Sequence, residues 1–347
     1  MKLNAADLER YSRQMRFAGI GRVGQEKIAA SRVTICGCGA LGTVLANNLV
    51  RSGVGFVRIV DRDFIELSNL QRQVLFDEAD VAENLPKAEA AARKLRQINS
   101  AVTVEAVVAD IDRTNIEELC RDADLIMDGT DNFEVRYLIN DTAVKLNKPW
   151  VFGGAIGSNG QTMTIIPGQT PCLRCVFEAS PGPGEVGTCE TAGVLAPTVN
   201  IIASLQAAEA LKLLVGKYDA INRELFTIDI WENTTRRHKI APLLGKVNCP
   251  CCQRREFEWL EGAHGSQTTS LCGRNAVQVS LRSATKLNFD DMAKQLGQSG
   301  NVSHNKFMLK FDVEEYQFTV FPDGRAIIKG TSDTDKARIL YAKYIGH

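Results

Sequence analysis

Two C-x-x-C pairs, Cys172 with Cys175 and Cys249 with Cys252, gather the metal-binding side chains of the sequence. Two-residue spacing lets both thiolates of a pair reach one ion. Two such pairs complete a tetrahedral zinc site of the structural kind, because four cysteines leave no open position. Cys251 stands inside the second pair, so the fourth ligand is open between Cys251 and Cys252. A second chemistry is carried by Gly37, Gly39 and Gly42, spaced G-x-G-x-x-G. Gly37 suits a tight turn, Gly39 the approach of a phosphate to the backbone, and Gly42 close packing of a helix on a sheet. A third is electrostatic. Arg72 and Lys87 are cations in segments that leave a sheet, and Asp131 follows directly on a strand. Cations with a carboxylate able to hold Mg²⁺ suit a triphosphate better than a dinucleotide. Cys189, in GTCETAG, is a loop thiol outside the pairs and reads either as a nucleophile or as an ordinary loop cysteine. None of the four histidines, His238, His264, His304 and His347, lies near it in sequence.

These residues need elements to position them. Val33 to Cys36 is a β-branched run that predicts a buried parallel strand, and Thr43 to Arg51 has helical spacing. A second apolar run, Phe56 to Val60, ends at Asp61, which is placed to accept from ribose hydroxyls. Strand, glycine turn, helix, strand and acid together indicate a nucleotide, and this stretch alone leaves NAD and ATP both open. Residues 4 to 17 predict one helix whose arginines, Arg10, Arg13 and Arg16, read as a solvated face. A helix over 81–97 is expected, its start placed near Leu85 by Pro86. Further strands are expected at 102–109, 124–128, 150–155, 161–166 and 225–231, and helices at 116–120, 134–147 and 197–215. The stretch 167–195 has little periodicity, and a loop that long inside a compact domain is usually functional.

Alternating strands and helices predict a doubly wound, Rossmann-like, mostly parallel α/β sheet. The domain reading is a nucleotide-binding domain with the zinc site over 1–255, a polar linker over 256–270, and a small α+β module over 271–347. In the 347-residue chain Lys+Arg and Asp+Glu both total 41, a balance that gives no attraction to nucleic acid or a membrane surface. No run reaches the roughly 18 apolar residues of a membrane helix, and the N-terminus carries no apolar signal-peptide core. Ten cysteines without an export signal suggest reduced thiols or metal ligands, and the cytoplasm as location.

The motifs occur in a telling order. RYSRQ at 10–14, GCGALG at 37–42, VDRD at 60–63, SNLQRQ at 68–73, PK at 86–87 and GTDN at 129–132 come first. CLRC at 172–175, TCETAGVLAP at 188–197 and CPCC at 249–252 follow. The set resembles the MoeB/ThiF family, bacterial relatives of ubiquitin-activating enzymes, over roughly residues 8 to 255. The resemblance implies an ATP-dependent adenylyltransferase acting on the C-terminal glycine of a ubiquitin-like sulfur carrier, ThiS- or MoaD-like. It implies that Gly37, Gly39, Ala40, Leu41 and Gly42 cradle phosphate and that Asp61 holds the ribose. Asp63, Asn69 and Asn132 would line the nucleotide pocket. Arg72 and Lys87 would bind the outer phosphates, and Asp131 the Mg²⁺. Arg13 would reach in from the other subunit of a homodimer, against the bland reading of its helix. Cys189 would bond the carrier during sulfur transfer from a donor such as a cysteine desulfurase. Cys172, Cys175, Cys249 and Cys252 would hold structural Zn²⁺.

The last eighty or so residues depart from the rhodanese module of some relatives, and the expectation is that they help dock the carrier or a sulfur donor. Cys272 there reads as an ordinary strand-start cysteine. Three other functions stand beside the leading one: a tRNA-modifying dehydratase using the same ATP chemistry, an NAD-dependent dehydrogenase, and a non-catalytic scaffold for a ubiquitin-like partner. Neutral charge weighs against the first. The unexplained SNLQRQ, GTDN and cysteine pairs weigh against the second, and the presence of Arg72, Lys87 and Asp131 against the third.

Overall fold

A computed structural model describes residues 3–131, 133–178, 193–263, 268–271, 275–280, 287–297 and 299–345. Asn132, Cys189 and Cys272 lie outside the described residues. The chain forms two compact units, one running to Ala263 and one formed by the described residues from Thr268 onward.

The first unit is built on an eight-stranded sheet. Its strands are β1 (Arg32–Cys36), β2 (Phe56–Val60), β3 (Thr103–Val107), β4 (Leu125–Asp128), β5 (Trp150–Ile156), β6 (Asn159–Ile165), β7 (Leu225–Asp229) and β8 (Thr234–His238). The order is β3-β2-β1-β4-β5-β6-β7-β8. The first five pair in parallel and the last three are added antiparallel. The chain leaves β1 toward β2 on one side and later returns to β4 on the other. The gap beyond the ends of β1 and β4 is therefore the switch point where such sheets bind ligands. The doubly wound expectation holds. The helix Ala40–Arg51 starts directly after the glycine turn and lays Leu41, Val44, Leu45 and Leu49 into the core. Against it packs Ala196–Val215, with Pro in its first turn and Gly216 in the left-handed region at its end. That helix is long and apolar enough to cross a membrane, yet its apolar residues Val199, Ile202, Ala203 and Ala210 are buried in the core of this unit.

Three local expectations are corrected, and one strand was not foreseen. The single helix over 4–17 is broken at Tyr11 into Ala5–Arg10 and Ser12–Arg16. Tyr11 is buried, accepts a hydrogen bond from Asn99 Nδ2 at 2.8 Å, and lies over Gly53, so tertiary contact overrides helix periodicity. The helix over 81–97 splits into Glu78–Ala82, capped by Asp77, and Lys87–Ile98, with Pro86 as its N-cap and Asn84 left-handed between them. β8 had no sequence signal, because TTRRH is exposed along its whole length and lacks apolar alternation. The linker over 256–270 is no linker as far as Ala263. Phe257 and Leu260 are buried, and Trp259 stacks on Tyr137 at 4.9 Å.

The second unit is an antiparallel sheet of β9 (Thr268–Leu271), β10 (Ala276–Val279), β11 (Asn301–His304), β12 (Leu309–Val313), β13 (Tyr316–Val320) and β14 (Ala326–Lys329), in the order β11-β12-β13-β14-β10-β9. One face buries Val277, Leu309, Phe311, Phe318, Val320 and Ile328 with the helices Phe289–Leu296 and Thr334–Tyr344. The α+β expectation is met.

One packing detail fixes the nucleotide turn. A Cβ added to Gly42 would stand 2.0 Å from the carbonyl oxygen of Gly37, and one on Gly129 would stand 2.6 Å from that same oxygen. Gly37 itself has φ +91, and its N–H donates to Val60 O at 2.8 Å. Gly42→Ala is therefore expected to destabilise the fold by about 3 kcal/mol, the upper range for overpacking. An unchanged denaturation midpoint would refute this contact as drawn.

Candidate nucleotide site and cysteine cluster

The crevice at the switch point is assembled from three strand ends. From β1 comes the glycine turn. Gly37, Gly42 and Gly129 touch one another, but Gly39 does not share that crowding. An added Cβ there would meet only Gln73 Nε2, at 3.9 Å. The turn is thus closed beneath and open above Gly39, beside the N-terminus of the helix Ala40–Arg51, where free N–H groups and the helix dipole favour an anion. Ala40 and Leu41 form that first turn.

From β2 comes Asp61. One carboxylate oxygen accepts from Cys38 N at 2.5 Å and the other from Asp63 N at 2.7 Å, so this side chain ties the glycine turn to its own strand end. Burial pushes its carboxyl pKa up and Asp63 adds to this, while Lys87 and the two backbone donors oppose it. Lys87 is buried. Its main-chain N–H donates to Asp63 O at 2.9 Å and its Nζ to Asp63 Oδ2 at 3.1 Å. Asp63 thus pairs a buried ammonium that would be expensive to keep without an anion beside it. Asn69 is buried and its Oδ1 accepts from Glu66 N at 3.1 Å, closing the turn that carries Arg72. Arg72 is half-exposed and rests one guanidinium N–H on Ser68 O at 2.8 Å. Asp61, Asp63 and Lys87 are therefore brought together, with Asn69 and Arg72 on the following turn. Arg13 is exposed on the short helix Ser12–Arg16, with its guanidinium 3.5 Å from Ser12 Oγ. Among the described residues, no hydrogen bond or ion pair links it to the glycine turn.

From β4 come Gly129, Thr130 and the exposed Asp131. The turn is held by a buried network that sequence reasoning missed. Asp128 accepts from Thr130 N at 2.9 Å and Thr130 Oγ1 at 2.7 Å on one oxygen, and from Arg136 Nε at 3.2 Å on the other. Arg136 also donates to Thr130 O at 2.7 Å and Gly153 O at 3.1 Å. Gln206 Nε2 reaches Asp128 O at 2.9 Å and Val151 O at 3.1 Å. Burial raises the pKa of Asp128, and Arg136 pulls it back. The available signal was a charged or amide side chain on otherwise apolar helix faces, Arg136 in Phe133–Leu146 and Gln206 in Ala196–Val215. Arg136→Leu should cost about 3–5 kcal/mol by leaving Asp128 buried without its cation. Asp128→Asn in that background should recover part of the loss in urea denaturation, and strictly additive losses would refute the pairing.

The cysteine cluster is separate from the crevice residues. Sγ of Cys172 lies 3.8 Å from that of Cys175 and 3.6 Å from that of Cys249, and Cys175 lies 3.4 Å from Cys252. All four sulfurs fall within 4.8 Å of one another. Tetrahedral zinc with bonds of about 2.3 Å spaces its sulfurs by about 3.8 Å, so the donor set and its spacing fit that ion. Cys251 is not among these four. Its sulfur accepts from Asn140 Nδ2 at 3.3 Å and is also hydrogen-bonded to Cys172 and to Asp141. Asn140 Oδ1 accepts from Leu173 N at 2.8 Å, so one amide braces both pairs.

The model of the ThiF family matches residues 11–251. A sulfur carrier protein ThiS adenylyltransferase of Bacillus subtilis is 44% identical over 338 residues, covering 97% of this chain and 99% of the relative. A sulfur carrier protein adenylyltransferase of Thermus thermophilus is 39% identical over 257 residues, covering 73% of this chain and 93% of its own. Among solved structures, Escherichia coli MccB with ATP superposes with a TM-score of 0.59 at 25% identity, covering 70% of this chain and 74% of that one.

Proposed function

Because the chain belongs to the ThiF family, we propose that it is an ATP-dependent adenylyltransferase that activates the C-terminal glycine of a ubiquitin-like sulfur carrier for thiamin or molybdopterin synthesis. The observation that carries this reading is likeness to a ThiS adenylyltransferase along nearly the whole of both chains, the second unit included. The crevice geometry supports it.

The carrier's terminal carboxylate is already ionised, so the reaction needs no general base. One of its oxygens bonds to the α-phosphorus of ATP. The bond from that phosphorus to the bridging oxygen breaks, and pyrophosphate leaves with the electron pair. The difficulty is bringing an anion onto a polyanion, and fixed positive charge answers it. In this proposal the open face at Gly39, with Ala40 and Leu41, receives the phosphates. Asp61 takes the ribose hydroxyls on lone pairs left by its two backbone bonds, with Asp63, Asn69 and Asn132 around the nucleotide. Lys87 and Arg72 hold the outer phosphates, and Arg13 is supplied by the second subunit of a homodimer. Asp131, a hard oxygen donor at the β4 end, suits Mg²⁺, which when bound neutralises charge on the phosphates. Cys172, Cys175, Cys249 and Cys252 hold a structural zinc. Cys189 is the thiol that bonds the activated carrier during sulfur transfer from a donor such as a cysteine desulfurase. The second unit helps dock the carrier or that donor, and the enzyme works in the cytoplasm.

The test is ATP–pyrophosphate exchange with ThiS-like and MoaD-like carriers added separately. Exchange that depends on one carrier is expected and would name the pathway. No exchange with either, in zinc-replete protein that binds ATP, would overturn the proposal.

A further inference from the structure

The crevice holds a buried polar atom for which none of the roles above accounts. Gln73 is 3% exposed, and its Oε1 has no hydrogen-bond partner among the described residues. Its Nε2 faces the open side of Gly39, 3.9 Å from where a Cβ would stand. The backbone of Gln73 is fixed, because its N–H donates to Asn69 O at 3.0 Å and its carbonyl accepts from Phe76 N at 3.2 Å. A buried acceptor without a donor is destabilising, and at a binding crevice it marks a donor that arrives with the ligand.

On the adenylation reading above, the choice of donor is narrow. Phosphate and carboxylate oxygens are acceptors only. The ribose hydroxyls are directed to Asp61. The adenine amino group lies at the far end of the nucleoside from the phosphates, beyond the reach of one carboxamide that faces the phosphate turn. What remains is the main-chain N–H of the carrier's last residue, which must come to this place because its carboxylate attacks the α-phosphorus. We propose that Gln73 positions that residue: Oε1 accepts its main-chain N–H while Nε2 donates to the neighbouring carboxylate. A carboxamide presents donor and acceptor on one rigid plane. Holding both groups of the terminal residue therefore sets the direction from which the carboxylate attacks. Gln73 is a positioning residue; no bond to it forms or breaks.

The test uses the full chain in ATP–pyrophosphate exchange with two forms of its carrier, one ending in glycine and one whose terminal glycine is N-methylated. With wild-type enzyme, N-methylation should lower kcat/KM for the carrier about 30-fold, as expected when a buried acceptor loses its donor. Gln73→Ala should lower it by a similar factor with the native carrier and add no more than about twofold with the N-methylated one. ATP affinity without carrier should stay within about twofold of wild type, which also checks the fold of the variant. Independent, multiplying losses would overturn the proposal. So would N-methylation without effect on wild-type enzyme, or an ATP affinity that falls as far as kcat/KM. Absence of carrier-dependent exchange with the native pair would instead overturn the adenylation reading, and this inference with it.

Discussion

Asp131→Ala is expected to lower carrier-dependent ATP–pyrophosphate exchange by about 10²–10³-fold, the loss typical of removing one preorganised charge partner from a transition state. The expectation rests on where the residue sits. Asp131 is exposed at the end of β4, while the turn before it is held from below by Asp128, Thr130 and Arg136. Deleting an exposed carboxylate above an intact network should leave the melting temperature nearly unchanged. The loss should therefore appear in rate and in the Mg²⁺ concentration required, not in the amount of folded protein. Asp131→Asn, which keeps one oxygen donor, should recover part of the rate at high Mg²⁺. Normal exchange in the alanine variant would remove Asp131 from the site. A melting temperature that falls together with the rate would make its role structural.

The largest expected effect on stability is at the cysteine cluster. Cys172→Ser should release the zinc and unfold the first unit at temperatures where the parent is stable, because structural zinc contributes on the order of 10 kcal/mol in small domains at neutral pH. The two pairs lie far apart in sequence, and Cys172, Cys175, Cys249 and Cys251 are buried in the same cluster as Trp150, Phe152 and Tyr137. Loss of the ion would thus open the packing between the helix Phe133–Leu146 and the segment that carries Trp259. Metal analysis of the purified chain should give one zinc per chain, and a strong chelator should reproduce the variant's melting curve. Cys251→Ser is the control. Its sulfur is hydrogen-bonded to Cys172 as well as to Asn140 and Asp141 but is not among the four gathered sulfurs, so the variant should retain the metal. Zinc lost from Cys251→Ser and kept by Cys252→Ser would reverse the ligand assignment.

The core of the first unit was legible because each element announced itself. Val33–Cys36 and Phe56–Val60 are apolar runs joined by glycines at diagnostic spacing, and the structure pairs them in parallel register. The grouping of Asp61, Asp63 and Lys87 was legible only through motif order. What stayed hidden was whatever depends on the third dimension. Tyr11 breaks a helix because it must meet Asn99, 88 residues away. β8 is polar throughout and forms because β7 offers it a partner edge. Residues 256–263 read as a linker in the sequence, and only the fold shows Phe257 and Leu260 buried and Trp259 over Tyr137. Arg136 and Gln73 were passed over for the same reason: their meaning lies in which strand end each one faces.

The mutual contact of Gly37, Gly42 and Gly129 bears on how relatives of this chain should be read. These positions are constrained by one another, with the carbonyl of Gly37 as the common obstacle. A descendant that had lost all catalysis would still be held to glycine there merely to keep its sheet and helix together. In a saturation-mutagenesis map selected for folding alone, the three should be as intolerant as in a map selected for activity. Lys87, Asp131 and Gln73 should separate the two maps. The glycine signature would outlive the activity, and a chain's competence is better judged at those three side chains.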